Sequence, residues 1–205
     1  MVKILFVIVD GIGDCGTKEN DWKTIFQVED IPNLDKIAAS GVNGLMDSFE
    51  AGYSCGSDTS HLNIFGYTPT QYYKGRGAFE TEGAGLPMKA GDIAFKCNFA
   101  YMDPKTKIVK KRRVDRNFQD WGLELVDLLD NTKIPGYEQY EVRVKHATEH
   151  RVGVKISGPG LSNDITDTDP LVDNLEILRV KPKNPEGELT AKVVRIFNQG
   201  QCSIR

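Results

Sequence analysis

The run Lys3–Val9 is apolar almost throughout and rich in β-branched and aromatic residues. That composition suits a strand covered on both faces in a parallel sheet, which sets the chain in the α/β class. The run ends in Asp10-Gly11-Ile12-Gly13-Asp14. Ligands of open α/β sheets gather outside the carboxyl ends of strands, so a carboxylate followed by glycines there is placed to reach a metal or a phosphate. A turn in which Asp10 bonds its own loop amides is the other reading. Gly-x-Gly without a third glycine is no dinucleotide fingerprint. The run is also too short for a signal or membrane segment.

Pro32-Asn33-Leu34 opens a short helix through Ala39, with Leu34, Ile37 and Ala38 on one face and Gly41 as its stop, and Val42–Met46 reads as a second strand. The chain then reaches Ser54-Cys55-Gly56-Ser57-Asp58-Thr59-Ser60-His61-Leu62-Asn63. Ser57 stands where an N-cap belongs, before a helix carrying Leu62, Ile64 and Phe65. A hydroxyl there meets free amides and the positive end of the helix dipole, which favour an oxyanion or a phosphate. A plain cap is the alternative. In the segment from Tyr72 to Gly85, glycines recur around Arg76, Glu80 and Glu82, as in a loop that clamps a carboxylate or phosphate or in a flexible surface turn.

From Asp92 the pattern changes to that of an α+β unit, with a boundary near Gly91. Ile93, Phe95, Cys97 and Phe99 alternate and Ile108-Val109 follows a turn at Asp103-Pro104-Lys105, predicting a hairpin. Asn117–Asn131 predicts a helix with Phe118, Trp121, Leu125, Leu128 and Leu129 facing the core. Tyr140–Lys145 and Arg151–Ile156 read as strands, and Gly187–Gln199 as an amphipathic helix. Lys110-Lys111-Arg112-Arg113-Val114-Asp115-Arg116 and His146–Arg151 concentrate cations between these elements. A formal charge of -3 and no aromatic interleaving point to a small anionic ligand, not to nucleic acid. The four cysteines form no C-x-x-C pair, which fits a reduced, cytoplasmic setting.

Taken together, Val9-Asp10-Gly11, the stretch from Ser54 to Tyr67, Gly75-Arg76-Gly77-Ala78-Phe79-Glu80, Arg112-Arg113-Val114-Asp115-Arg116, Glu149-His150-Arg151 and Asp167-Thr168-Asp169-Pro170 make up a pattern. In order and spacing it resembles the archaeal-type 2,3-bisphosphoglycerate-independent phosphoglycerate mutases, a family of the alkaline phosphatase superfamily.

The resemblance implies a partial alkaline-phosphatase-like parallel sheet core over residues 1–90 and an inserted α+β substrate-binding domain over residues 91–205. It implies interconversion of 3-phosphoglycerate and 2-phosphoglycerate through a phosphoserine at Ser57, with two divalent ions (Mn2+ or Mg2+) and no bisphosphoglycerate. By the same resemblance Asp10 and Ser57 match metal ligands, Ser57 being the nucleophile as well. Arg76, Arg112, Arg116 and Arg151 match substrate-region residues. His61 and His150 match proton carriers or phosphate donors, with a structural hydrogen bond the other reading of His61.

The sequence departs from that family in length, because its members continue into a second half that supplies further acidic and histidine ligands. Three histidines, none in an Asp-His pair, cannot complete two metal sites. Lys111 stands where the family often has an acid and Asp115 where it often has glycine, leaving the arginine spacing intact. Three readings stay open: a truncated mutase, a binding or assembly module of mutase descent, and a metal-dependent phosphatase sharing Asp10 and Ser57 but not the arginines. The expected partner is a small molecule, with no nucleic acid or membrane, and an incomplete sheet would favour self-association.

Overall fold

The computed structural model describes residues 2–9, 11–53 and 55–201. The chain mixes helix and sheet, as expected of the α/β class, and divides into two compact units, Met1–Asp47 and Ser48–Arg205.

Among the described residues the first unit holds two α-helices, α1 (Ile25–Val28) and α2 (Pro32–Ser40), after a 3-10 turn at Lys18–Asn20. The short α1 is fixed at its start by side chains: the Thr24 amide donates to Gln27 Oε1 and the Ile25 amide to Asp14 Oδ2, both at 2.8 Å. α2 begins on Pro32, whose missing N–H is no loss in a first turn, and stops at Gly41 as expected. The strands expected at Lys3–Val9 and Val42–Met46 are corrected, since neither run belongs to a ladder among the described residues. A strand of β-branched residues is held by its neighbours more than by its own propensity. Here Leu5 is 87% exposed, and Leu34 and Ile37 of α2 are exposed too rather than set against a sheet.

The second unit opens with three helices, α3 (Ser57–Ile64), α4 (Pro69–Tyr72) and α5 (Arg76–Gly83). The strands that follow are β1 (Ile93–Asn98), β2 (Tyr101–Met102) and β3 (Ile108–Lys111). After them come α6 (Gln119–Leu129), β4 (Glu141–His146), β5 (Arg151–Ser157), β6 (Leu175–Glu176) and α7 (Glu188–Gln201). One antiparallel sheet has the order β1-β5-β4 and a smaller one the order β2-β3-β6. The expected hairpin therefore forms between β2 and β3, while the alternating run from Ile93 pairs with β5.

Period-2 alternation gives the larger sheet two unlike faces. Ile93, Val142, Val144, Val152, Val154 and Ile156 point into the core with Val126, Ile134, Ala191, Val193 and Val194. Ala94, Lys96, Asn98, Arg151, Gly153 and Lys155 take the other face, where α5 packs on β1 and β5. Lys155 is buried there and donates to the Pro87 carbonyl at 2.9 Å, with Asp92 3.5 Å away.

The core-facing set expected of α6 is corrected at Trp121 and Leu128, while Leu129 packs against the core as expected. Trp121 is 65% exposed and Leu128 equally so, whereas Gly122 and Val126 are buried. The His146 ring occupies the space that a Cβ on residue 122 would need, so the small residue has to face the sheet.

Glycine also brings α5 onto β1. A Cβ on Gly77 would overlap the Ala94 carbonyl oxygen, which is backbone and cannot swing aside. Gly77→Ala is expected to destabilise the second unit by about 1–3 kcal/mol through overpacking. Urea denaturation checks this, and an unchanged midpoint would show that the helix can lift off the sheet without loss.

Candidate functional site

Ser57 is the first helical residue of α3, and Gly56, in extended conformation, is the N-cap. This corrects the expected capping role of Ser57. Thr59 replaces it by reaching back: its hydroxyl accepts from the Gly56 amide and donates to the Gly56 carbonyl, each at 3.1 Å. The Ser57 side chain is left exposed. His61, one turn on, donates through Nδ1 to the Ser57 carbonyl oxygen at 2.5 Å, so its ring is turned onto its own helix. Asp58 accepts at Oδ2 from the Tyr73 hydroxyl at 2.5 Å. Asp10, the other expected metal ligand, and Ser54 lie outside the described residues.

Arg76 begins α5 after Gly75, whose φ of 119° is open to glycine alone at little strain. Its Nε lies 3.5 Å from Glu80 Oε2. Lys96, beneath α5 on β1, donates to Asn98 Oδ1 at 2.6 Å. Burial, then Arg76 and Arg113 and further Arg151, hold the Lys96 amine below its ordinary range, against the pull of Glu80. Arg113 and Arg151 act on His150 as well. It is 7% exposed, and its Nδ1 has no hydrogen-bond partner, lying 3.9 Å from Glu149 Oε2. Burial first, then Arg113 and Lys96, push this imidazole down, with Glu149 opposing.

Arg76, Lys96, Arg113, His150 and Arg151 thus share one electrostatic neighbourhood. Among the described residues Lys96, Arg113 and Arg151 meet no carboxylate in an ion pair. A half-buried amine crowded by arginines is a costly arrangement that a bound anion relieves.

The other two expected arginines each lie beside a carboxylate. Arg112 is spent on Asp169, both oxygens of which accept from its Nε and Nη2 at 2.5 Å. Its own amide donates to Asp173, so the pair fastens the 169–173 segment beside β3. Arg116 is 88% exposed at its side chain and lies 3.9 Å from Glu149. Lys96 is the residue that sequence reasoning missed, whereas Arg113 lies within the cation run already singled out there. The signal for Lys96 was present in the alternation of β1, which sends it to the face opposite Phe95 and Cys97.

The depressed His150 has a consequence for stability. Between its folded-state value and about 6.5, the ordinary imidazole value, the unfolded chain holds more protons than the folded one. Stability therefore rises with pH across that window and is lost as pH falls through it. Acidification below about 6.5 is expected to lower the melting temperature, and His150→Gln to flatten that dependence. A variant with the same acid slope would exclude His150 as its source.

A family model described as 2,3-bisphosphoglycerate-independent phosphoglycerate mutase matches residues 38–201. The enzyme of that name from Sulfurisphaera tokodaii is 43% identical over 194 residues, covering 94% of this chain and 46% of its own length. One from Methanothermobacter thermautotrophicus is 38% identical over 195 residues, covering 94% and 47%. The solved cofactor-independent phosphoglycerate mutase from Thermoplasma acidophilum is similar at a TM-score of 0.57 and 34% identity, covering 95% of this chain and 50% of that one. The chain spans about half the length of the curated relatives it matches.

Proposed function

Because the chain belongs to the 2,3-bisphosphoglycerate-independent phosphoglycerate mutase family, we propose that it supplies the nucleophilic serine and the substrate-holding cations for interconverting 3-phosphoglycerate and 2-phosphoglycerate. The reaction is an isomerisation within cytoplasmic glycolysis and uses no bisphosphoglycerate. The observation that carries this reading is the cluster of Lys96, Arg113 and Arg151 around a buried His150 with an unused Nδ1, with Arg76 beside Lys96. A phosphorylated carboxylic acid of low mass offers what those cations lack.

In this reading Ser57 Oγ attacks phosphorus and forms an O–P bond while the bond from phosphorus to the C3 oxygen breaks. The serine proton ends on that oxygen, leaving glycerate and phosphoserine. The glycerate carboxylate stays held by the cations while the molecule re-orients. The C2 hydroxyl then attacks the phosphoserine, the Oγ–P bond breaks, and the proton returns to Ser57. The first turn of α3 presents its amides and the positive end of its dipole to the phosphoryl oxygens. His150, whose imidazole is pushed down by burial first and then by Arg113 and Lys96, reads a glycerate hydroxyl through Nδ1.

The resemblance also implies two divalent ions, manganese or magnesium. Among the described residues no three His, Cys, Asp or Glu side chains come together to hold one. Asp58, beside Ser57, is engaged by Tyr73. The described residues do not fit such a site.

Calorimetric titration of the chain with 3-phosphoglycerate, glycerate and glycerol 3-phosphate tests this. Binding of 3-phosphoglycerate alone at sub-millimolar concentration is expected, because only that ligand has both charged ends. Equal affinity for all three, or for none, would contradict the reading.

A further inference from the structure

Tyr73 touches two of the elements that the proposed reaction needs. Its hydroxyl donates to Asp58 Oδ2 on α3, next to Ser57, in a part-buried bond of 2.5 Å. Its ring lies nearly parallel to that of Phe79 on α5, with centroids 6.0 Å apart and planes 21° from each other. Phe79 stands one turn beyond Arg76 on the same helix. Between Tyr73 and Arg76 the backbone passes through Gly75, at a φ of 119°. That glycine gives the connection little stiffness of its own. Among the described residues, no other side-chain hydrogen bond connects α3 with the segment that leads into α5.

We infer that Tyr73 is a positioning residue, a strut that fixes the helix carrying Ser57 relative to the helix carrying Arg76. The inference rests on the reading of Ser57 as nucleophile and Arg76 as a substrate clamp, and adds a residue that touches neither reacting group. Its two contacts divide the work: stacking on Phe79 sets the ring against α5, and the phenol then sets the distance to Asp58. A bond from a hydroxyl to a carboxylate is among the stronger side-chain bonds, so it can hold two short helices in one arrangement. Burial and then the Asp58 carboxylate raise the phenol well above its ordinary range.

The test uses the whole chain, with Tyr73→Phe, which keeps the ring on Phe79, and Asp58→Asn, which keeps an acceptor for the phenol. Residual dipolar couplings of α3 and α5 read the strut without any ligand. They are expected to fit one alignment tensor in the parent chain and in Asp58→Asn, and to need two in Tyr73→Phe. Inorganic phosphate, followed at the amides of residues 57–59 and at Arg76 Nε, reads its consequence. Both reporters should saturate together in the parent and in Asp58→Asn, while in Tyr73→Phe the response at residues 57–59 should weaken about tenfold. One tensor and unchanged saturation in Tyr73→Phe would overturn the inference. Phosphate that moves neither reporter in the parent chain would count against the phosphoryl-transfer reading, and the dipolar couplings would still decide whether Tyr73 is a strut.

Discussion

Ser57→Ala is expected to remove phosphoserine formation completely while leaving the fold in place. The chemistry leaves no partial outcome, because an alanine has no oxygen to form the new bond to phosphorus. The structural cost is small for a separate reason. The Ser57 side chain is exposed and holds none of the first-turn bonds, which run between Thr59 and Gly56, with the His61 ring on the Ser57 backbone carbonyl. A surface change of this kind alters stability by about 0.5 kcal/mol or less. Mass analysis of the peptide containing residue 57, after incubation with 3-phosphoglycerate and manganese, gives the readout. A phosphorylated peptide in the alanine variant would remove Ser57 as nucleophile.

The second large effect is expected from the cation cluster. Lys96→Met and Arg151→Met, combined, should weaken binding of 3-phosphoglycerate about a hundredfold or more, since each charge-assisted bond contributes about 1.5–3 kcal/mol. Removing these charges should not unfold the chain, because neither residue is in an ion pair and methionine retains the apolar stem. Relief of the repulsion among Lys96, Arg113 and Arg151 favours the variant fold if anything. Arg116→Met is the contrast. That guanidinium is largely exposed and 3.9 Å from Glu149, so a change below threefold is expected. Calorimetry on the two variants separates a built anion site from general surface charge, which would respond equally to both.

Much of the second unit was legible in the sequence because its periodicities are local. The helix after the serine, the strands on either side of His146–Arg151 and the last helix follow from patterns within a few turns of chain. The pairing of β1 with β5, across more than fifty residues, does not follow from them. The face of α6 was misread at Trp121 and Leu128 because they outweigh Gly122 on any hydrophobic scale, whereas the space beside His146 admits only glycine. The same limit applies to the site. Arg112 and Arg113 are adjacent and chemically alike, and only the position of Asp169, 57 residues further on, decides which of them is neutralised. Lys96 was legible as a polar residue on an alternating strand, but its neighbours come from three other segments. At Lys3–Val9 composition favours a strand, and composition does not provide the neighbouring ladder.

The central claim is that the cations around His150 hold a phosphorylated carboxylic acid. NMR of the His150 imidazole during a titration with 3-phosphoglycerate tests it most directly, since that ring lacks a partner at Nδ1 and is pushed down by burial and then by Arg113 and Lys96. An anion among those cations must raise the imidazole's titration point, and a hydroxyl bonded at Nδ1 must shift that nitrogen. Both changes, saturating together, are the result expected. A His150 resonance that stays fixed in position and in titration while 3-phosphoglycerate binds elsewhere on the chain would contradict the claim.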